Sequence, residues 1–484
     1  MEYNKSIKGK FFNAAKWAVI TEMIAKLITP ITNMILARIL VPDAFGVVAT
    51  INMIISFADM ITDSGFQKYI VQHEFENEEI KLKSINVAFW TNLSMSFMLW
   101  LLLCIYSDKI AIFFGNEDLN KVIIFAGAQL PLTSFTSIQM AIFKREFDYK
   151  TLFKVRILSI LLPFIVTIPL ALNGFGYWAL IIGTMSGTLV NAINLTVKSE
   201  WKPIIYYNFL LLKKMFSFTI WSLIEAITIW LSSWIDVFII GSILNSYYLG
   251  IYKTSLNTVN SIMVILTSVT MPLLFATLSR LQNDEKSFNK FYIKMQKISS
   301  YIILPMGVGV FIYSELITRI LLGDNWINAS GIIAIWGIIN SIKIIFGDYC
   351  SEYYRAKGKP KISFSIQIIF IIFYMMFCMT FINKGVEILI ISCISGRLII
   401  VIIHNICMKL KFNISILNCF INVRIPILAS IIMGGFGLFF KSLYIGVIWD
   451  FISILLCIII YFTLIFIFDK SSFKDIYSII KAKL

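Results

Sequence analysis

Residues 37–47 read ARILVPDAFGV, a break of one arginine, one proline and one aspartate between two long apolar stretches. Residues 241–251 read GSILNSYYLGI and make the same break 204 positions later: an apolar helix end, a short polar interruption, and a glycine where an apolar run resumes. At that constant offset Phe12 aligns with Phe216, Trp17 with Trp221, Leu40 with Leu244, Gly46 with Gly250 and Thr50 with Thr254. Paired tryptophans and glycines carry more information than matched isoleucines in so isoleucine-rich a chain. Pro42 stops one helix and Gly46 admits the next. The spacing therefore predicts two repeated halves, each opening with a helical hairpin.

The composition says what solvent those hairpins meet. Of 484 residues, 58% are hydrophobic and 14% charged, and the mean hydropathy is +0.83; soluble domains keep about a quarter of their residues charged. Apolar runs of twenty or more recur along the chain, long enough to cross a hydrocarbon layer of roughly 30 Å as helices. Hydropathy and turn signals predict an all-α, polytopic membrane bundle with fourteen spans near 15–40, 46–70, 85–106, 119–143, 152–172, 178–197, 215–243, 249–279, 298–321, 327–352, 362–382, 386–408, 425–440 and 445–468. We read residues 1–198 as an N-terminal lobe of six spans, 199–214 as a cytoplasmic linker, 215–408 as a second six-span lobe, and 409–484 as two further spans with a tail. The basic start is followed by an apolar stretch too long for a cleavable signal core.

Charge orients the bundle. Alternate loops and the two ends hold 32 of the 42 lysines and arginines, among them Lys144, Arg145, Lys150, Lys154 and Arg156 in one loop and Arg355, Lys357, Lys359 and Lys361 in another. The positive-inside rule puts both termini in the cytoplasm. The net charge of +15 is then a consequence of topology and of attraction to anionic headgroups, and calls for no nucleic acid. The seven cysteines form no CxxC pair, and His73 and His404 stand far apart, so we expect neither disulfide nor metal. The outer loops are too short for a folded domain, and no GxxxxGK[ST] motif occurs.

A charge near the bilayer centre costs about 2.5–3.5 kcal/mol on insertion scales, so those within spans need partners or a cavity. The cations Lys26, Arg38, Lys253, Lys343 and Arg397 are spread over both halves and are expected to line a central, net cationic cavity suited to an anionic group such as a pyrophosphate. The acids Asp59, Asp63, Glu225 and Asp236 are expected to serve charge pairing or ion coupling. Structural pairing between helices is the competing account of all nine.

Several stretches, in order along the chain, resemble one family. LARILVPDAFGVVA (36–49), FADMITDSGFQKYIVQ (57–72), KREFDYKTL (144–152), GFGYWAL (174–180), WKP (201–203), LLGDNW (321–326) and RAKGKPK (355–361) resemble the polysaccharide exporters related to the colanic acid flippase. These belong to the multidrug/oligosaccharidyl-lipid/polysaccharide exporter superfamily. Beyond residue 410 only hydropathy is shared. The resemblance implies two six-helix lobes with two extra C-terminal helices. It also implies transfer of an undecaprenyl-pyrophosphate-linked oligosaccharide across the bacterial cytoplasmic membrane for O-antigen or capsule synthesis. Arg38 matches the arginine ending the family's first span; the other cations match no motif. No cofactor is implied beyond a coupling ion, proton or sodium. The expected partners are the lipid-linked oligosaccharide, membrane lipids and, functionally, a polysaccharide polymerase, with the chain itself a monomer. A cation-coupled drug or metabolite antiporter of the same fold stays open, as does a membrane polymerase or ligase.

Overall fold

The computed structural model describes residues 2–63 and 65–470, excepting the side chains of residues 2–13 and of a few other helix positions (15, 19, 27, 63, 217–219, 221 and 416). Every regular element among them is helical, and fourteen helical segments are long and apolar enough to cross a membrane. The chain is thus a polytopic helix bundle. Its contacts divide it into two compact units, residues 1–250 and 251–484.

The first unit contains α1 (Glu2–Ile39), α2 (Pro42–Asp63), α3 (Phe66–Gln72), α4 (Glu78–Phe113), α5 (Leu119–Gly127), α6 (Gln129–Arg145), α7 (Tyr149–Leu172), α8 (Tyr177–Lys198), α9 (Phe209–Ile243) and the start of α10 (Ser246–Arg280). At the turn the repeat holds to the residue. α1 and α9 end at Ile39 and Ile243, and α2 and α10 begin at Pro42 and Ser246. The same closing hydrogen bond, Leu40 N to Leu36 O and Leu244 N to Ile240 O at 2.8 Å each, ends both first helices. The side chains of Phe12 and Trp221 lie outside the described residues.

The paired glycines explain why the motif needs a residue without a side chain. A Cβ on Gly46 would lie 1.8 Å from the Ser246 carbonyl oxygen, and one on Gly250 would lie 1.9 Å from that of Pro42. Ser246 and Pro42 are themselves equivalent positions. The two hairpins therefore meet backbone to backbone, each presenting its glycine to the other's first turn, as small residues permit between membrane helices.

Sequence and structure part where polar residues blur a helix end. The expected second span, 46–70, stops at Asp63; Gly65 takes φ 83° and redirects the chain into α3, a left-handed conformation that suits glycine. Phe66 and Ile70 on α3 then pack with Ile85, Phe89, Ile138, Ile142 and Trp201 in a buried cluster. α4 starts at Glu78, not 85, because Asn77 Oδ1 caps it by accepting from Ile80 N at 2.8 Å.

The second unit continues α10 and adds α11 (Glu285–Ile312), α12 (Ser314–Leu321), α13 (Ser330–Lys343), α14 (Tyr349–Ala356), α15 (Pro360–Met379), α16 (Val386–Gly396), α17 (Leu398–Phe412), α18 (Ile416–Asn422), α19 (Arg424–Leu443) and α20 (Val447–Phe468). The expected ninth span, 298–321, is instead α11 and α12 broken at Tyr313. The charged stretch 285–297 is helical because Asp284 caps it, accepting from Ser287 N at 3.1 Å. The last two helices dock on α11: Tyr301, Ala429, Met433, Cys457, Tyr461 and Ile465 form one buried cluster. Tyr461 Oη donates to Tyr301 O at 2.8 Å, and Tyr313 Oη to Ser453 Oγ at 2.8 Å. Asp469, beyond α20, accepts from Tyr301 Oη and pairs with Lys297 Nζ, each at 2.6 Å. Pairing the buried carboxylate with two donors offsets its desolvation.

Candidate functional site

Each unit holds a polar cavity. One in the first unit, about 490 Å³, is walled by α1, α2, α3, α4, α6, α7 and α8. Most of its lining side chains can hydrogen-bond, through hydroxyls, amides, Asp59 and Arg156, and none is aromatic. α6 contributes most through the run TSFTS, residues 133–137, where Phe135 packs into the buried cluster while Thr133, Ser134, Thr136 and Ser137 line the cavity. Asn92 on α4 is fully buried and donates from Nδ2 to Ser137 Oγ at 2.7 Å. Asp59 is half-buried, and its Oδ1 accepts from Thr133 Oγ1 at 2.6 Å, a charge-assisted bond of the stronger kind.

The cavity of the second unit, about 470 Å³, is lined by Asn260, Thr267, Asn340, Lys343, Asp348, Ser351 and Glu352 with apolar neighbours. Its shape depends on one π-helical turn, Ile344–Asp348, between α13 and α14. Residues five apart on a 3.6-residue helix point about 140° away from each other. The wider turn brings them together, so Lys343 Nζ lies 2.8 and 2.9 Å from the two oxygens of Asp348. Asn260 Oδ1 accepts from Trp336 Nε1 at 3.1 Å and Asn340 Nδ2 at 3.0 Å, tying α10 to α13. π turns of this kind recur at functional sites.

The remaining charged positions are dispersed. Lys26 is half-buried on α1 and Arg38 exposed in its last turn. Lys253 is half-buried on α10. Arg397, between α16 and α17, lies over the rings of Phe370 and Tyr374, 5.9 and 5.5 Å from their centroids. Glu225 is exposed on α9, 3.9 Å from Lys68, too far for a hydrogen bond. Asp236 is buried, its Oδ1 accepting from Val237 N at 2.9 Å. The side chain of Asp63 lies outside the described residues. Of the nine, Asp59 lines the first cavity and Lys343 the second. Among the described residues no group of three or more His, Cys, Asp or Glu could hold a metal ion.

A search for intramembrane charge misses most of the first cavity, because hydroxyls and amides build it. A signal was present: Asn33, Asn92 and Asn191 each sit inside an apolar span, and TSFTS puts four hydroxyls into one helical turn and a half. Buried amides need partners as charges do.

Comparison with known proteins fits this architecture. The lipopolysaccharide biosynthesis protein WzxC of Escherichia coli (strain K12) is 20% identical over 75% of this chain and 73% of its own. The teichuronic acid biosynthesis protein TuaB of Bacillus subtilis (strain 168) is 20% identical over 74% of each. Among solved structures, the lipid II flippase MurJ in an inward closed conformation superposes with a TM-score of 0.76 at 15% identity, covering 93% of this chain and 98% of that one. An inward-facing multidrug resistance MATE transporter of the MOP superfamily gives 0.62 at 13%, covering 83% and 98%. These two share the fold. Residues 35–331, more than half of the chain, match the family described as polysaccharide biosynthesis protein, and the chain belongs to that family.

Proposed function

We propose that the chain is a transporter, a flippase that carries a lipid-linked oligosaccharide across the cytoplasmic membrane of a bacterium for surface polysaccharide synthesis. The cargo is an undecaprenyl-pyrophosphate-linked repeat unit, moved from the cytoplasmic to the outer leaflet by alternating access driven by an ion gradient. Both termini are cytoplasmic. The observation that carries this reading is a hydrogen-bonding cavity inside an apolar helical unit, in a chain of the polysaccharide biosynthesis family. Sugars and pyrophosphate cannot cross hydrocarbon without such groups, whereas a polyprenyl tail can stay in lipid. The name of the succinoglycan biosynthesis transport protein ExoT, 21% identical over 67% of this chain, supports transport over polymerisation. Lys343, the cation lining the second cavity, is our candidate contact for the pyrophosphate. Lys26, Arg38, Lys253 and Arg397 are proposed to add positive potential along the path, with Asp59, Asp63, Glu225 and Asp236 pairing charges or coupling the ion.

Deleting the gene tests the reading. The expected phenotype is loss of a surface polysaccharide with its lipid-linked intermediate trapped on the cytoplasmic side. Normal glycan together with new drug sensitivity would overturn it in favour of an antiporter.

A further inference from the structure

Two residues that line the first unit's cavity carry polar atoms that the fold itself leaves unused. Ser134 Oγ and Asn92 Oδ1 are buried without a hydrogen-bond partner, their residues 2% and 0% exposed. Turning the Asn92 amide over does not remove the anomaly, since Ser137 engages only one end of it. Native interiors leave few such groups, and each calls for a cause. Asp59 adds a carboxylate whose Oδ1 is held by Thr133 and whose remaining lone pairs can accept further donors.

We propose that this cavity is a sugar subsite: it takes one uncharged, polyhydroxylated ring of the cargo through hydrogen bonds from its hydroxyls to Asp59 and Asn92, with Ser134 donating or accepting. This rests on the flippase reading above. Three features select that ligand. The volume of about 490 Å³ falls in the range of organic-ligand sites, roughly 300–1,000 Å³, far above what a single desolvated cation fills. The absence of aromatic rings from the lining disfavours a flat, lipophilic drug. One carboxylate and one guanidinium among many hydroxyls and amides leave a lining with no excess of either charge, which suits a neutral polar ring.

Ser134→Ala is the informative variant. Its hydroxyl has no partner to lose, so the variant should unfold at the same temperature as the parent or higher. A ligand contact, by contrast, would be lost, weakening binding by up to about tenfold. The measurement is thermal unfolding of the purified full chain with free glucose, galactose and N-acetylglucosamine at millimolar concentrations, with sodium chloride against choline chloride as a second arm. We expect at least one sugar to raise the midpoint, and that rise to shrink in Ser134→Ala and Asn92→Ala. No sugar effect on the parent, or an effect that both variants retain, overturns the subsite. A sodium effect alone, abolished by Asp59→Asn, makes it a cation site instead. In cells, export that fails on gene deletion but stays normal in both variants refutes the subsite while leaving the flippase intact. Export that survives deletion refutes both.

Discussion

At Gly46 and Gly250 a hydrogen atom is all that the space allows. A Cβ at either would fall within 2 Å of a carbonyl oxygen on the equivalent turn of the other hairpin, and backbone atoms cannot swing aside as a side chain can. Gly46→Ala and Gly250→Ala should each therefore destabilise the chain by about 1–3 kcal/mol, the usual cost of overpacking. The comparison is Gly435→Ala on α19, where an added Cβ meets nothing within 4 Å; it should be neutral, or stabilising by up to about 1 kcal/mol from helix propensity. Unfolding midpoints of the three purified variants measure this. Equal loss in all three would show that the hairpin contact has no special weight.

At the scale of elements, the π turn between α13 and α14 makes the sharpest claim. It aims Lys343 and Asp348 into one cavity, 22% and 40% exposed, close enough to bond. Lining a cavity, the ammonium is placed where our proposed function needs it, as a contact for an anion. We expect Lys343→Ala to lower glycan export at least about tenfold at unchanged protein abundance, one lost charge-assisted contact being worth roughly 1.5–3 kcal/mol. Lys343→Arg should recover part of it. Lost abundance matching lost export would make the pair a structural strut. Lys343 was visible in the sequence as a charge in an apolar span, but its partnership with Asp348 was not, since a five-residue spacing reads as opposite faces until the helix is seen to widen. The same division runs through the fold. Fourteen spans were legible because each is a long apolar run, and the repeat because Gly46 and Gly250 mark a steric requirement. The bends at Gly65 and Tyr313 and the capped polar start of α11 were not legible. Each depends on one capping, twisting or orienting residue that leaves hydropathy almost unchanged.

For the molecule as a whole, the repeat and the charge distribution make one joint demand on topology. An offset of six spans returns the chain to the same direction, so the break at residues 40–41 and its equivalent at 244–245 must face one side of the membrane. By the positive-inside rule we propose that this side is the outside. Val41 and Asn245 are both exposed, which makes them accessible reporters. In a cysteine-free background, Val41→Cys and Asn245→Cys should each react with a membrane-impermeant maleimide in intact cells. Reporter fusions after residues 80, 148, 206, 288, 358 and 415 should score cytoplasmic, and those after 114, 175 and 325 external. Agreement requires an even number of crossings between the two breaks and the basic ends all inside. Labelling at Val41 but not at Asn245 would mean an odd number. The halves would then be inverted, and the parallel repeat would have to be abandoned.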